Sequence, residues 1–268
     1  MISVLEQDDA LRRFILERDR DLEIQDFLSP EVLRGTWRDD VQRARKILNG
    51  HNGRIGVHGP FISFTLDAAD PDIRKIAVQR LNTCVEACAA LSGPDRQPHL
   101  VIHSPFTTWH CHNLDTRPGA REHLYQRAQS TLGEAVTLAE REGVVIVIEN
   151  IEDRDPHERH LLAQSFNSAA VQVSIDTGHA FYAHKSTGAP PVDVFVRAAG
   201  NALAHVHLQD GDGYADRHWQ IGEGDIPWPE VFRAIGELSH RPRLVLEMKT
   251  PEDILPSARW LIDQELCE

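Results

Sequence analysis

The sequence predicts an α/β protein in which residues 1–268 form one domain, a single (β/α)8 TIM barrel with a metal site at the C-terminal ends of the strands. Short runs dense in Val, Ile and Leu alternate with amphipathic helical stretches, as expected of parallel strands buried on both faces. Eight strand–helix pairs in 268 residues match the usual size of this barrel. Polar residues, many of them histidines, follow the apolar runs.

Eight apolar runs are predicted as strands. They are ISVL (2–5), DLEIQDF (21–27), RIGVHGPF (54–61), HLVIHSPF (99–106), VVIVIENI (144–151), VQVSIDT (171–177), LAHVHLQD (203–210) and RLVLEMK (243–249). Helical patterns occupy 72–91, 121–143, 191–200, 228–239 and 252–266, and Gly143 is a typical helix end. A doubly wound open sheet is the structural alternative. No predicted strand is followed by a G-x-G-x-x-G turn, which argues against a dinucleotide site.

Composition and charge restrict the class of protein. The 41 acidic residues outnumber the 28 basic ones, and the net charge of −13 argues against a protein that coats nucleic acid or an anionic membrane. No apolar run is long enough to span a membrane, and the charged start does not resemble a signal peptide. The four scattered cysteines do not form a disulfide pattern, and Cys84 and Cys88 share one helical face as buried thiols. We therefore expect a reduced, cytoplasmic protein.

The 15 histidines, nearly as many as the 17 glycines, are concentrated where predicted strands end. Taken singly, each residue at a strand end has an ordinary structural explanation; Asp176, for example, would begin a helix. Taken together, five imidazoles and four carboxylates at one end of a barrel favour a site for zinc or manganese, with iron and cobalt as alternatives. His205, two residues before His207, is expected to be a hydrogen-bonded interior residue or a residue that supports a metal ligand, rather than a ligand itself. The nine predicted metal ligands are His58, His103, Glu149, Asp176, His179, His207, Asp216, His218 and Glu247.

Aromatic and basic residues near the same strand ends are candidates for substrate binding. Phe61, Trp109 and Trp228 are suited to wall a sugar, although packing of loops against the barrel accounts for them equally well. Arg217, inside the segment DRH, is predicted to bind an anionic group.

Five segments carry a family resemblance: VIVIEN, SIDTGHAF, HVHLQD, DRHWQIGEGDIPW and LVLEMK. From about residue 20 to its end, the chain resembles the xylose-isomerase-like TIM barrels. This superfamily includes sugar phosphate isomerases and epimerases and the AP endonuclease family 2, or endonuclease IV-like, proteins. Similarity to the isomerase branch implies one divalent ion held by Glu149, Asp176, His207 and Glu247, with the two glutamates as proton-transfer partners. Similarity to the endonuclease IV branch implies three zinc ions, with His58, His103, His179, Asp216 and His218 as further ligands.

Three functions are compatible with this resemblance. The first is a metal-dependent isomerase or epimerase of a sugar, sugar phosphate or cyclitol, using one to three ions and a small carbohydrate-type substrate. The alternative is a multinuclear-zinc phosphodiesterase or hydrolase resembling endonuclease IV, with DNA as its partner. The third is a non-catalytic barrel that binds a carbohydrate or a partner protein. The segment GEGDIPW and the absence of a lysine in HLQDGDGYADRH favour the isomerase.

Overall fold

The computed structural model describes residues 2–92 and 97–267. Within them, seven strands form one sheet in chain order, and β1–β2, β2–β3, β5–β6 and β6–β7 are parallel pairs. The α/β prediction of a TIM-barrel-like fold is therefore confirmed. The strands are β1 (Leu22–Ile24), β2 (Ile55–His58), β3 (His99–His103), β4 (Val145–Glu149), β5 (Val171–Asp176), β6 (Leu203–Leu208) and β7 (Arg243–Leu246).

Helices separate the strands and extend both chain ends. They are α1 (Ile2–Gln7), α2 (Asp9–Leu16), α3 (Trp37–Ile47), α4 (Pro71–Ser92), α5 (Thr108–Asn113), α6 (Ala120–Glu142), α7 (Pro156–Gln164), α8 (Thr177–Thr187), α9 (Val192–Ala199), α10 (Trp228–Gly236) and α11 (Ile254–Asp263). The predicted end of α6 is confirmed, because Gly143 has φ +70° and its N–H donates to the Ala139 carbonyl. In the described part of the chain, no helix is long and apolar enough to cross a membrane.

The prediction of a strand at residues 2–5 is wrong, because this segment lies in α1. Ile2 and Leu5 are both buried, and a spacing of three places two side chains on one face of a helix. An apolar run of four residues does not distinguish a strand from a helical turn. Asp8 then caps α2 by accepting hydrogen bonds from the backbone N–H groups of Ala10 and Leu11. The described residues accordingly contain seven strands rather than the predicted eight.

The chain divides into two compact units. The first comprises the described residues of Met1–Pro105, with Leu114–Ile148 and Leu162–Gln172, and here α4 packs against α6. The second comprises Phe106–Asn113, Glu149–Leu161 and the described residues of Val173–Glu268, and here α9 packs against α10. All four residues of β2, in the first unit, and all six of β6, in the second, are buried. One domain over 1–268 stays a prediction.

The cysteines provide a test of packing in solution. Cys84 and Cys88 are completely buried in α4, as predicted, and burial raises the pKa of the Cys84 thiol. Cys111 and Cys267 are partly exposed. We expect only these two thiols to react with 5,5′-dithiobis(2-nitrobenzoate) in the native protein, and all four after unfolding. Rapid native-state labelling of a variant carrying both Cys111→Ser and Cys267→Ser would contradict this packing.

Candidate metal centre

Four predicted ligands of the second unit come together as a first ligand group. Glu149 and Asp176 are the last residues of β4 and β5, His207 lies in β6, and Glu247 directly follows β7. One ligand atom from each of the four lies within 4.8 Å of the others. The carboxyl ends of neighbouring strands bring these side chains together although they are far apart in sequence.

The geometry and burial of the first ligand group suit a divalent cation. His207 Nδ1 contacts Glu149 Oε1 directly and lies 3.1 Å from Glu247 Oε2. Glu149, Asp176 and His207 are fully buried, whereas the Glu247 side chain is 14% exposed. Three carboxylates held this close repel one another strongly unless a cation offsets their charge. Three carboxylate oxygens with one imidazole nitrogen are a donor set that zinc and manganese accept. The residues present therefore fit the ion that the family resemblance implies.

Asp176 is both a helix cap and a member of the first ligand group. Its Oδ1 accepts a hydrogen bond of 2.6 Å from the His179 N–H, so it caps α8 as an aspartate at this position typically does. Its own backbone N–H donates to Asn150 Oδ1 at 2.9 Å, and the Asn150 Nδ2 donates to the Asp176 carbonyl at 3.1 Å. This double hydrogen bond holds the ends of β4 and β5 in register. A carboxylate accepts several bonds, so capping is compatible with metal binding.

Three further predicted ligands form a second ligand group in the same unit. Asp216 Oδ1 lies 3.3 Å from His179 Nε2 and 3.1 Å from His218 Nε2. The Nδ1 atoms of both histidines face backbone carbonyls, of Asn150 at 2.9 Å and of Glu247 at 3.0 Å. A carbonyl on Nδ1 favours the tautomer that presents Nε2 as the ligand atom, the arrangement commonly found around metal-binding histidines. The second ligand group therefore also has the chemistry of a metal site.

Charge interactions are strong in the second ligand group. Burial disfavours the charged form of His218, but the hydrogen bond to Asp216 and the charges of Asp176, Glu247 and Asp216 outweigh it and raise its pKa to about 9. The His179 pKa is raised well above 6.5, because the carboxylates of Asp176 and Asp216 outweigh its burial. Partial burial opposes ionisation of Asp216, yet the two histidines hold the pKa of this carboxyl well below its usual range. His218 also has φ +51°, a conformation rare for residues other than glycine.

The other two predicted ligands lie in the first unit. His58 ends β2 and His103 ends β3, and their ring centroids are 5.1 Å apart with the rings at 82°. His58 Nδ1 faces the Gly59 carbonyl at 2.9 Å. Phe61, predicted to bind substrate, stacks on His103 with a centroid distance of 4.6 Å and is 38% exposed. A metal-binding role for the two histidines stays a prediction.

Arg217 is engaged by a neighbouring carboxylate. Its Nη2 lies 2.8 Å from Asp212 Oδ2 and its Nε lies 3.2 Å from both carboxylate oxygens. The hydrogen bond from Arg217, together with the Tyr214 backbone N–H, lowers the pKa of Asp212 to about 2. The guanidinium carbon is also 5.2 Å from the centroid of the Trp219 ring. An anionic group of a substrate would therefore compete with Asp212 for the Arg217 guanidinium. The binding of an anionic group by Arg217 stays a prediction.

The two predicted substrate tryptophans have different surroundings. Trp109, in α5, is 58% exposed and presents an open aromatic surface. Trp228 is 2% exposed, and its indole Nε1–H donates to Asp210 Oδ2 at 2.9 Å. The burial of Trp228 at the start of α10 favours a packing role, and its binding of substrate stays a prediction.

Removing the Trp228 donor is expected to destabilise the protein. Trp228→Phe leaves the buried carboxylate of Asp210 without one of its hydrogen bonds, so we expect a loss of about 1.5–3 kcal/mol in the free energy of unfolding. Urea denaturation measures this loss. The exposed Trp109 provides the matched control, because Trp109→Phe should change stability by no more than about 0.5 kcal/mol. Equal stabilities of the two variants would be inconsistent with the role assigned to the indole N–H.

Asp210 organises the loop that carries Asp216 and His218. It is fully buried, and besides Trp228 it accepts hydrogen bonds from the backbone N–H groups of Gly211, Gly222 and Ile226 at 2.9, 2.8 and 3.3 Å. The backbones of Asp210 and Trp219 also exchange two hydrogen bonds.

Gln209 and Asn150 are site residues that the sequence prediction missed. The Gln209 Nε2 donates to Asp176 and to Asp216, one residue from each ligand group. The signal in the sequence is modest: an amide residue directly follows Glu149 in IEN, and another follows His207 by two positions in HLQD.

The prediction for His205 is confirmed, because this buried residue shares a hydrogen bond of 2.9 Å with Ser174 Oγ through its Nδ1.

Comparison with known proteins gives relatives among sugar epimerases. An uncharacterised protein of Methanocaldococcus jannaschii is 25% identical over 243 residues, covering 88% of this chain and 75% of that protein. The D-psicose 3-epimerase of Ruminiclostridium cellulolyticum is 25% identical over 209 residues, or 74% of this chain. The match covers 64% of that epimerase, so the chain spans just under two thirds of its length.

Solved structures agree with the fold. A D-tagatose 3-epimerase-like protein superposes with a TM-score of 0.72 at 22% identity, covering 91% of this chain and 86% of that one. A protein from Thermus thermophilus soaked with ZnCl2 gives a TM-score of 0.69 at 22% identity, covering 99% and 95%. The family model described as xylose isomerase-like TIM barrel matches residues 23–264. With nearly the whole length matched and the strand order observed, the chain belongs to the xylose isomerase-like TIM barrel family.

Proposed function

We propose that the protein is a metal-dependent isomerase or epimerase acting on a sugar, sugar phosphate or cyclitol. The observation that carries the proposal is the pairing of Glu149 and Glu247 about one imidazole nitrogen of His207. Two carboxylates beside a site that polarises a carbonyl are placed to remove a proton from a sugar carbon and to return one. The similarity to D-psicose 3-epimerase supports the same class of reaction.

The residues of the first ligand group have separate roles in this proposal. Glu149, Asp176, His207 and Glu247 would hold a zinc or manganese ion, which when bound supplies a Lewis acid that polarises a carbonyl. Glu149, as a carboxylate, would accept the proton from the carbon next to that carbonyl. Glu247, as a carboxylic acid, would return a proton to the other face of the same carbon in an epimerase, or to the former carbonyl carbon in an isomerase. Exchange of protons with solvent after product release restores both groups. Glu149 is fully buried, whereas the Glu247 side chain is 14% exposed, so solvent deuterium would enter the substrate through Glu247.

Residues outside the first ligand group would bind the substrate or further ions. Trp109 and Phe61 provide exposed aromatic surfaces suited to a sugar ring, and Arg217 suits a phosphate or carboxylate. The second ligand group of His179, Asp216 and His218 would hold an additional ion, and His58 and His103 are candidates for another.

Exchange of substrate hydrogen with solvent tests the proposal. The purified protein is incubated in D2O with D-fructose, D-psicose, D-tagatose or a phosphorylated ketose, with Zn²⁺ or Mn²⁺ present. We expect NMR to show deuterium entering next to the carbonyl of at least one substrate, together with formation of its epimer or isomer. A chelator should abolish both signals. Absence of exchange with every member of a broad panel of ketoses and cyclitol ketones would be evidence against the proposal.

A metal-dependent hydrolase of the endonuclease IV type is the second candidate. The observation that favours it is the second ligand group, because a one-ion isomerase does not require it. A duplex containing an abasic site is the deciding substrate: zinc-dependent nicking that a chelator abolishes would establish this activity and replace the isomerase proposal.

A further inference from the structure

We propose that Gln209 is a positioning residue that couples the two ligand groups, so that an ion bound in one changes the binding of an ion in the other. The inference rests on the metal centre of the proposed function but does not depend on the reaction catalysed there. Gln209 is fully buried, and its amide contacts a carboxylate of the first ligand group and two residues of the second.

The orientation of the Gln209 amide follows from its hydrogen bonds. Oε1 accepts a hydrogen bond of 2.7 Å from the backbone N–H of His218. Nε2 therefore faces the carboxylates, at 3.1 and 3.2 Å from the two oxygens of Asp176 and 3.0 Å from Asp216 Oδ1. The reverse orientation would place NH2 against N–H and oxygen against two carboxylates, so it is excluded. One NH2 group thus donates to both ligand groups.

The surrounding chain holds the Gln209 amide in place. The Thr177 hydroxyl donates to the Gln209 carbonyl at 2.8 Å and accepts from its backbone N–H at 3.1 Å. Gly178 follows Thr177 in α8 and leaves room for the Gln209 amide. A Cβ at position 178 would overlap Cδ and Oε1 of Gln209. The side chain therefore has little freedom to turn away from either carboxylate.

Coupling follows from this shared donor. Asp176 and Asp216 share the hydrogen bonds of one fixed NH2 group. When an ion draws one carboxylate away from that group, the hydrogen bond to the other carboxylate strengthens, and the affinity of that carboxylate for its own ion changes. Residues that orient metal ligands in this way commonly change metal affinity about 10–100-fold when they are replaced.

Two variants test the inference without altering any ligand. Gln209→Met removes the amide and keeps a side chain of similar length. Gly178→Ala displaces the amide and leaves Gln209 in the sequence, and alanine favours a helix more than glycine does. Gln264 is exposed and directly follows α11, so Gln264→Met is the control.

Binding of Zn²⁺ and Co²⁺ to the full chain provides the readouts. In the wild type we expect at least two Zn²⁺ per chain, and a second Co²⁺ equivalent that alters the visible d–d absorption of the first. In Gln209→Met and Gly178→Ala, we expect the weaker of these two Zn²⁺ affinities to fall by about tenfold or more and the Co²⁺ spectra to become additive. Without metal, both variants should melt below the wild type, because hydrogen bonds of a buried amide are lost or displaced, but each should still unfold in one cooperative transition. Gln264→Met should match the wild type throughout.

The inference is overturned if both variants bind two ions with wild-type affinity and coupled spectra, or if the wild type binds fewer than two ions or gives additive spectra. If one variant does not fold, the other variant still tests the inference. If neither variant shows a cooperative thermal transition in the absence of metal, the inference fails and Gln209 is assigned a role in folding. Ion coupling in a chain that exchanges no substrate hydrogen would uphold the inference while the isomerase proposal fails.

Discussion

Glu149→Gln is expected to lower sugar turnover by about 10²–10⁴-fold, because the variant loses a group that moves a proton in the reaction. The amide has nearly the shape of the carboxylate but no basic oxygen, and Glu149 is completely buried, so no water replaces it. The proton-exchange assay in D2O measures the loss directly. Glu247→Gln should fail in the same assay, because the proposal needs both carboxylates.

The amount of zinc bound per chain is measured for each variant beside its rate of proton exchange. Glu149 is also a proposed ligand, so a variant that keeps its ion but loses exchange isolates the proton-transfer role from metal binding. Glu122→Gln, on the exposed surface of α6, is the control and should keep full activity. Unchanged exchange in both Glu149→Gln and Glu247→Gln would refute the assigned roles.

Metal removal is expected to have the second large effect. An ion that binds only the folded chain stabilises it by about 2.7 kcal/mol at a free concentration 100 times its dissociation constant. For a protein of this size, that corresponds to a rise of about 5–10 °C in melting temperature. We therefore expect a chelator to lower the melting temperature by this amount, and Zn²⁺ to restore it.

Glu247→Gln tests whether this stabilisation comes from the first ligand group. Glu247 is its least buried member, so the substitution disturbs packing least. We expect the melting temperature of the variant to rise less on addition of Zn²⁺ than that of the wild type, while the two chelated proteins melt at similar temperatures. An equal Zn²⁺-dependent rise in both proteins would place the stabilising ion elsewhere.

Much of the fold could be predicted because buried parallel strands have an unmistakable composition. The run VVIVIENI contains β4 and LAHVHLQD contains β6, and polar residues mark where each strand ends. The run at 2–5 shows the limit of this reasoning. Four apolar residues suit either a strand or a helical turn, and packing of Ile2 and Leu5 on one helical face decides between them.

The meeting of the four residues of the first ligand group could be predicted because strand ends converge whatever loops connect them; their binding of a metal stays a prediction. Gln209 could not be predicted, since its role depends on where its amide lies between Asp176 and Asp216. Trp228 shows the opposite difficulty. An aromatic residue near a strand end suits a substrate wall and a buried contact equally. The burial of Trp228 and its hydrogen bond to Asp210 favour the buried contact, and a substrate role stays a prediction.

The four hydrogen bonds accepted by Asp210 bear on the entropy of metal binding. They hold Gly211, Gly222, Ile226 and Trp228 to one buried carboxylate, so the segment carrying Asp216 and His218 is already ordered before an ion arrives. Ordering a loose loop costs about 1–2 kcal/mol per residue, and a preformed loop avoids most of that cost. The amides of Gly222 and Ile226 should accordingly exchange slowly with solvent deuterium even in the ion-free protein, like those of a strand rather than a surface loop.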